Sequence, residues 1–173
     1  MIFRIRVILD VKEDVIRDLE INASATLEEL HDAITQAFGF AGNEMASFYA
    51  SNDDWEQGEE LPLVDYGESE SPKADMPLQE VFTADQHRLI YVYDFLALWT
   101  FFVELMEMAE PLAGATYPNL VFAQGEVPEE APEKQFEADQ DADKLEDFDF
   151  DNDDEDEDEE DYYNEDYDDS SYY

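Results

Sequence analysis

Three sets of residues in this 173-residue chain could do chemistry: two histidines, the acidic pair Asp94 and Glu104 around Trp99, and an alternating run of aspartates near the C-terminus. An imidazole at neutral pH can serve as ligand, base or proton shuttle, and His31, beside an apolar helical stripe, is the most tempting of them. The commoner arrangement is a half-buried histidine hydrogen-bonded to a neighbour, and that is the expectation for His31. His87 stands in a polar stretch at the start of a strand and reads as solvated. Paired carboxylates can act as general acid and base, but they need a concave site and groups that orient a substrate. The sequence supplies neither, so Asp94 and Glu104 are expected to hydrogen-bond around the turn between two strands. Trp99 and the tyrosines beside it are expected to fill the core. With two histidines and no cysteine the chain lacks the ligands of a zinc site, and no catalytic, cofactor-binding or metal-ligating residue is assigned.

The aspartate run is more unusual. Asp147, Asp149, Asp151 and Asp153 fall at the spacing of the first four oxygen ligands of a calcium loop. The glycine of the sharp turn is replaced by Asn152, the apolar eighth position is Asp154, and no amphipathic helix flanks the segment. Weak condensation of divalent cations is the expected chemistry. The run leads into nine consecutive acids, Asp153, Asp154, Glu155, Asp156, Glu157, Asp158, Glu159, Glu160 and Asp161, in a chain of formal net charge −41. Leu145 is the one large aliphatic residue between Gln135 and Tyr173, so burial cannot offset the entropy of ordering or the mutual repulsion of the carboxylates. Residues 126–173 therefore read as a disordered acidic tail on a folded body of residues 1–125.

Aromatic residues punctuate that tail: Phe148, Phe150, Tyr162, Tyr163 and Tyr167, with Tyr172 and Tyr173 at its end. Carboxylates keep such rings in water, where they can add cation–π contacts once an Arg-rich partner arrives. Basic proteins are the expected partners, including nucleic-acid-binding proteins for which the tail would imitate phosphates. Direct binding of nucleic acid is not expected, because the body offers only Arg4, Arg6, Lys12, Arg17, Lys73 and Arg88 against a large excess of acids. A solubilising role alone is the bland alternative. The longest apolar run, Phe95 to Val103, falls far short of the roughly 20 residues that span a bilayer. The absence of cysteine suits a reducing compartment, so a cytoplasmic location is expected.

The elements that must position these residues are legible along the body. Phe3, Ile5, Val7, Leu9 and Val11 share one parity, with Arg4, Arg6 and Asp10 on the other: the period-2 pattern of a half-buried strand. Val15 to Ile21 reads as its hairpin partner. Thr26 and Glu29 form a capping box, after which Leu27, Leu30, Ile34, Ala37 and Phe38 recur at helical spacing until Gly39. Met45 to Ser51 reads as a strand, 52–76 as mostly loop, and Pro77 to Phe82 as one helical turn with the proline at its first position. Arg88 to Phe95 and Trp99 to Met106 are dense in aromatic and β-branched residues and should pair as adjacent antiparallel strands. Tyr117 to Ala123 should be an edge strand. The fold class is α+β: a small antiparallel sheet packed by one main helix.

Two stretches resemble the plasmid pRi open-reading-frame-three-like family, a group of small α+β domains. Residues 26–40 resemble the family's capped helix, with its Ala-Phe-Gly-aromatic ending at Ala37, Phe38, Gly39 and Phe40. Tyr91, Tyr93, Asp94 and Phe95, followed by Trp99 and Glu104, resemble its second motif. The resemblance implies the α+β fold over roughly the first 110 to 125 residues, by the order and spacing of those motifs. It also implies departures. Where the family continues with Gly-Asp and a histidine after the tryptophan, this chain has Leu96, Ala97 and Phe101. Where it commonly has His-x-His after the helix, this chain has Glu44-Met45-Ala46. Any site those groups form elsewhere is expected to be lost. The leading expectation is a non-catalytic interaction protein. The alternative is a small enzyme with a pocket near Asp94, Trp99 and His31.

Overall fold

A computed structural model describes residues 1–67 and 71–132. The chain runs β1 (Ile2–Leu9), β2 (Val15–Asn22), α1 (Leu27–Phe38), β3 (Ala46–Ser51), β4 (Gln57–Pro62), α2 (Leu78–Val81), β5 (Arg88–Tyr93), β6 (Trp99–Ala109) and β7 (Asn119–Gln124). All seven strands join one sheet in the order β4-β3-β5-β6-β1-β2-β7, and every pairing is antiparallel. The architecture is thus sheet-dominated, a larger sheet than the small one expected.

The alternation in β1 separates the two faces. Phe3, Ile5, Val7 and Leu9 are buried on the side that α1 covers, where they meet Val103 and Phe101 of β6 through the registers Val7↔Val103 and Leu9↔Phe101. Tyr91 of β5, opposite Phe101, and Phe48 of β3, opposite Tyr91, continue this layer. The helix closes it: Leu27, Leu30, Ile34 and Phe38 are buried, with the Phe38 and Phe101 ring centroids 4.9 Å apart. Sequestering such side chains contributes about 1.5–3 kcal/mol each.

Local chemistry sets the ends of α1. Thr26 Oγ1 accepts from the Glu29 N–H at 3.2 Å, and the Glu29 carboxylate accepts from the Thr26 N–H at 2.7 Å. Gly39, at φ 83°, turns the chain off the helix in a left-handed conformation that costs glycine little. α2 is a single turn for which Pro77 is the N-cap and not the first helical residue.

The loop expected over 52–76 requires correction, because it contains β4. Phe48↔Leu61 and Tyr49↔Glu60 pair it with β3. Gly58, Glu59, Glu60 and Pro62 disguise it, but they suit an edge strand, whose outer backbone needs no partner and whose charged side chains reach water. Beyond β7 the chain still touches the body, with Val127 and Ala131 half-buried against the core.

Opposite the helix, the sheet carries a charge ladder. Arg6 Nε and Nη2 donate to the two Asp18 carboxylate oxygens at 2.8 and 2.9 Å, and Arg4 bridges Glu20 at 2.7 Å and Glu107 at 3.1 Å. Arg88 donates to Glu104 at 3.1 Å while its guanidinium lies 4.8 Å from the Trp55 ring centroid. These contacts follow from strand register, which sets Arg4 opposite Glu20 and Glu107, and Arg6 opposite Asp18 and Glu104.

Candidate functional site

The helix places His31 on its covered side, 8 % exposed, over β5. Its Nδ1 lies 2.5 Å from the Tyr91 hydroxyl, and the two rings meet edge-on at 5.8 Å. Tyr93 lies next to this pair, 6.4 Å away between centroids, and its own hydroxyl accepts from the Gly42 N–H at 3.0 Å. The Gly42 turn, at φ 80°, therefore bridges the end of α1 to β5. A Cβ there would meet Thr35 Oγ1 at 3.2 Å, so the turn also closes tightly on the helix.

Burial holds the His31 imidazole below its ordinary pKa, against the pull of Asp32, a hydrogen bond to the Gly42 backbone and the Glu28 charge. Burial drives the Tyr91 phenol far above its ordinary range. Both groups are neutral at physiological pH. The His31 Nδ1 and the Tyr91 hydroxyl share a hydrogen bond whose direction follows the imidazole tautomer. The pair ties α1 to β5 across 60 positions of sequence.

Beside it opens a cavity of about 310 Å³, with Glu28, His31, Glu44, Met45, Leu63 and Tyr66 in its wall. Tyr66, whose hydroxyl donates to the Ala46 carbonyl at 2.7 Å, was not anticipated from the sequence because it lies in the segment read as loop. Asp94 and Trp99 do not line this cavity. Asp94 sits at φ 64° in the β5–β6 turn, where its carboxylate accepts from the N–H groups of Leu96 at 3.1 Å and Ala97 at 3.3 Å. Such an Asx turn is what lets a non-glycine residue hold that conformation. Trp99 packs in the core with its ring centroid 5.0 Å from Phe40. Glu104 is on the other face, with Arg88. Of the second motif, Tyr91 and Tyr93 thus join the His31 cluster, Phe95 packs on Tyr66 at 5.4 Å, and Asp94, Trp99 and Glu104 go elsewhere. His87 makes an exposed pair with Asp53 at 3.5 Å.

Among the described residues no group of three or more His, Asp or Glu side chains could hold a metal, and no helix is long and apolar enough to cross a membrane. The acidic and aromatic positions from Phe148 to Tyr167, including the calcium-loop-like spacing, lie outside the described residues.

An antiparallel sheet with a capped helix across one face, and a Tyr-x-Tyr-Asp-Phe strand beneath that helix, defines an α+β domain of one particular kind. The chain matches the family described as Plasmid pRiA4b ORF-3-like protein over residues 1–172, and it belongs to that family. Its fold is similar to the crystal structure of the protein of unknown function MM3350 from Methanosarcina mazei Go1, with a TM-score of 0.63 and 20% identity over 74% of this chain and 72% of that one. At that identity the likeness concerns the fold alone. No curated protein matches the chain.

Proposed function

We propose that this protein is a non-catalytic interaction module: the folded body supplies shape, and a disordered polyanionic C-terminal tail attracts basic partner proteins. The observation that carries this reading is the fate of the body's own arginines. Arg4, Arg6 and Arg88 are each engaged by carboxylates of the same sheet. Arg17 donates to the carbonyl oxygens of Ile16, Ala37, Gln124 and Gly125 and lies 5.1 Å from the Phe38 ring centroid. With its guanidinium groups so engaged, the body competes weakly for the acids Asp153 to Asp161, which are left to attract cations from outside. Phe148, Phe150, Tyr162, Tyr163 and Tyr167 add stacking on arginine at close range. Weak divalent condensation accompanies this field, and a cytoplasmic setting fits a cysteine-free chain.

The reading is tested by titrating a labelled oligo-arginine peptide with the full chain, and with a variant whose residues 153–161 are all Asn or Gln. At low ionic strength the variant should bind at least about tenfold more weakly and with a shallower dependence on salt, because screening acts on the charges it lacks. Equal affinity and equal salt dependence would defeat the proposal.

A further inference from the structure

The two edges of the sheet are built differently. β4 carries Glu59, Glu60 and Pro62 within its six residues, which discourage another strand from pairing there. β7, Asn119-Leu120-Val121-Phe122-Ala123-Gln124, has no charge and no proline, and every one of its residues is exposed. Leu120, Val121 and Phe122 are 45%, 42% and 43% exposed. One edge of β7 pairs with β2, with an irregularity opposite Asp18 and Leu19, and no strand among the described residues pairs with the other. An apolar edge left open in this way is a template for strand addition.

The surroundings say what would add. Glu126, Glu129 and Glu130 follow the strand, all exposed. At the C-terminal end of β7 a groove of about 510 Å³ lies between the β1–β2 turn and the segment after the strand, with Val11, Val15 and Val127 as its apolar wall and Glu13, Glu126 and Glu130 among its carboxylates. A second copy of the chain would bring another net charge of −41 to this edge, which opposes self-pairing. A segment that alternates apolar residues with Lys or Arg meets apolar contacts along the strand and opposite charge at its C-terminal end.

We infer that β7 is the docking edge of the protein, and that it captures an extended basic segment of the partner as an eighth strand of the sheet. This inference rests on the reading that the partners are basic, and it adds where they are held: the tail gathers them, and main-chain hydrogen bonds at β7 retain them. Strand addition tolerates many sequences because the backbone makes the bonds, whereas the alternating side chains set the preference.

Amide hydrogen exchange on the full chain with a ten-residue peptide of alternating Val and Lys is the test. Saturating peptide should slow exchange in 119–124 and leave β4 unchanged. The variant with residues 153–161 neutralised should need more peptide yet show the same protection at saturation. Val121→Pro, which puts a proline into the strand, should lose the protection, and Phe122→Ser should weaken binding several-fold should the proline variant fail to fold. Peptide binding that leaves 119–124 unprotected would overturn the docking edge while sparing the tail. No binding by either form would overturn both. Protection without peptide that grows with protein concentration would assign the edge to a second copy and overturn the inference.

Discussion

The same strands carry two unlike surfaces, and residues adjacent in sequence show how differently each is held. Phe101 of β6 points under α1, fully buried, with ring centroids at 4.9 Å to Phe38, 5.4 Å to Tyr91 and 6.0 Å to Phe40. Phe102 points the other way and is half-buried, with one ring contact to Trp55 at 5.0 Å. The covered face is specified by shape and volume. The open face adds charge to a smaller apolar strip that includes the buried Ile2 and Ile90: its arginines are spaced to meet its own carboxylates, so a body that contains six basic residues presents an acidic exterior.

Truncating the two phenylalanines should expose this contrast most strongly. Phe101→Ala should cost about 3–5 kcal/mol, the transfer and cavity terms of a buried ring. Phe102→Ala should cost about 1 kcal/mol, since water and Trp55 can close over it. Urea denaturation with an unchanged m-value would read both. Comparable losses would mean that the outer face is packed as tightly as the inner one, and the distinction would fail.

What the sequence disclosed follows the same division. The β1–β2 hairpin and α1 were legible because alternation, helical spacing, the Thr26–Glu29 box and Gly39 are local signals, and the Asp94 turn was legible because its carboxylate bonds two and three residues along. β4 was not, since the Gly58, Glu59, Glu60 and Pro62 that protect an edge are the residues that announce a loop. The expected hydrogen-bonded state of His31 was readable from its place beside the stripe, but not its partner, because Tyr91 is 60 positions away and only the β5–β6 pairing brings it under the helix. The ladder lay half in view: Arg4 and Arg6 shared a parity with no signal for which acids would face them. Register supplied that answer.

A middle-sized effect probes the charged face directly. Arg6→Ala removes both bonds to Asp18, whose residue is 8 % exposed, and leaves that carboxylate with little water. Hydrogen bonds to charged groups contribute about 1.5–3 kcal/mol when buried, and the 37% exposure of the Arg6 side chain lowers this to about 1–2 kcal/mol through solvent screening. Thermal unfolding at low and high salt would measure it, and the difference between wild type and variant should narrow as salt rises. A loss that is insensitive to salt would indicate that Arg6 acts through its aliphatic stem, which is how the covered face works.

The smallest effect tests the histidine inside the covered face. Because burial lowers the His31 pKa in the folded protein below its ordinary 6.5, the unfolded chain takes up a proton first as pH falls. Stability attributable to His31 is therefore complete above pH 6.5 and declines as pH drops from 6.5 towards the folded value. The rest of the molecule works in the opposite sense, since protonating acids relieves the repulsion of a chain at −41, so wild type alone would mislead. His31→Gln can still bond to Tyr91 but cannot titrate. Urea midpoints of both proteins at pH 7.5, 6.5 and 5.5 should show the wild type losing ground to the variant only on the acid side, by less than about 1 kcal/mol. A wild type that gains on the variant as pH falls would mean that His31 is charged in the fold, and the covered face would then contain the exposed face's chemistry.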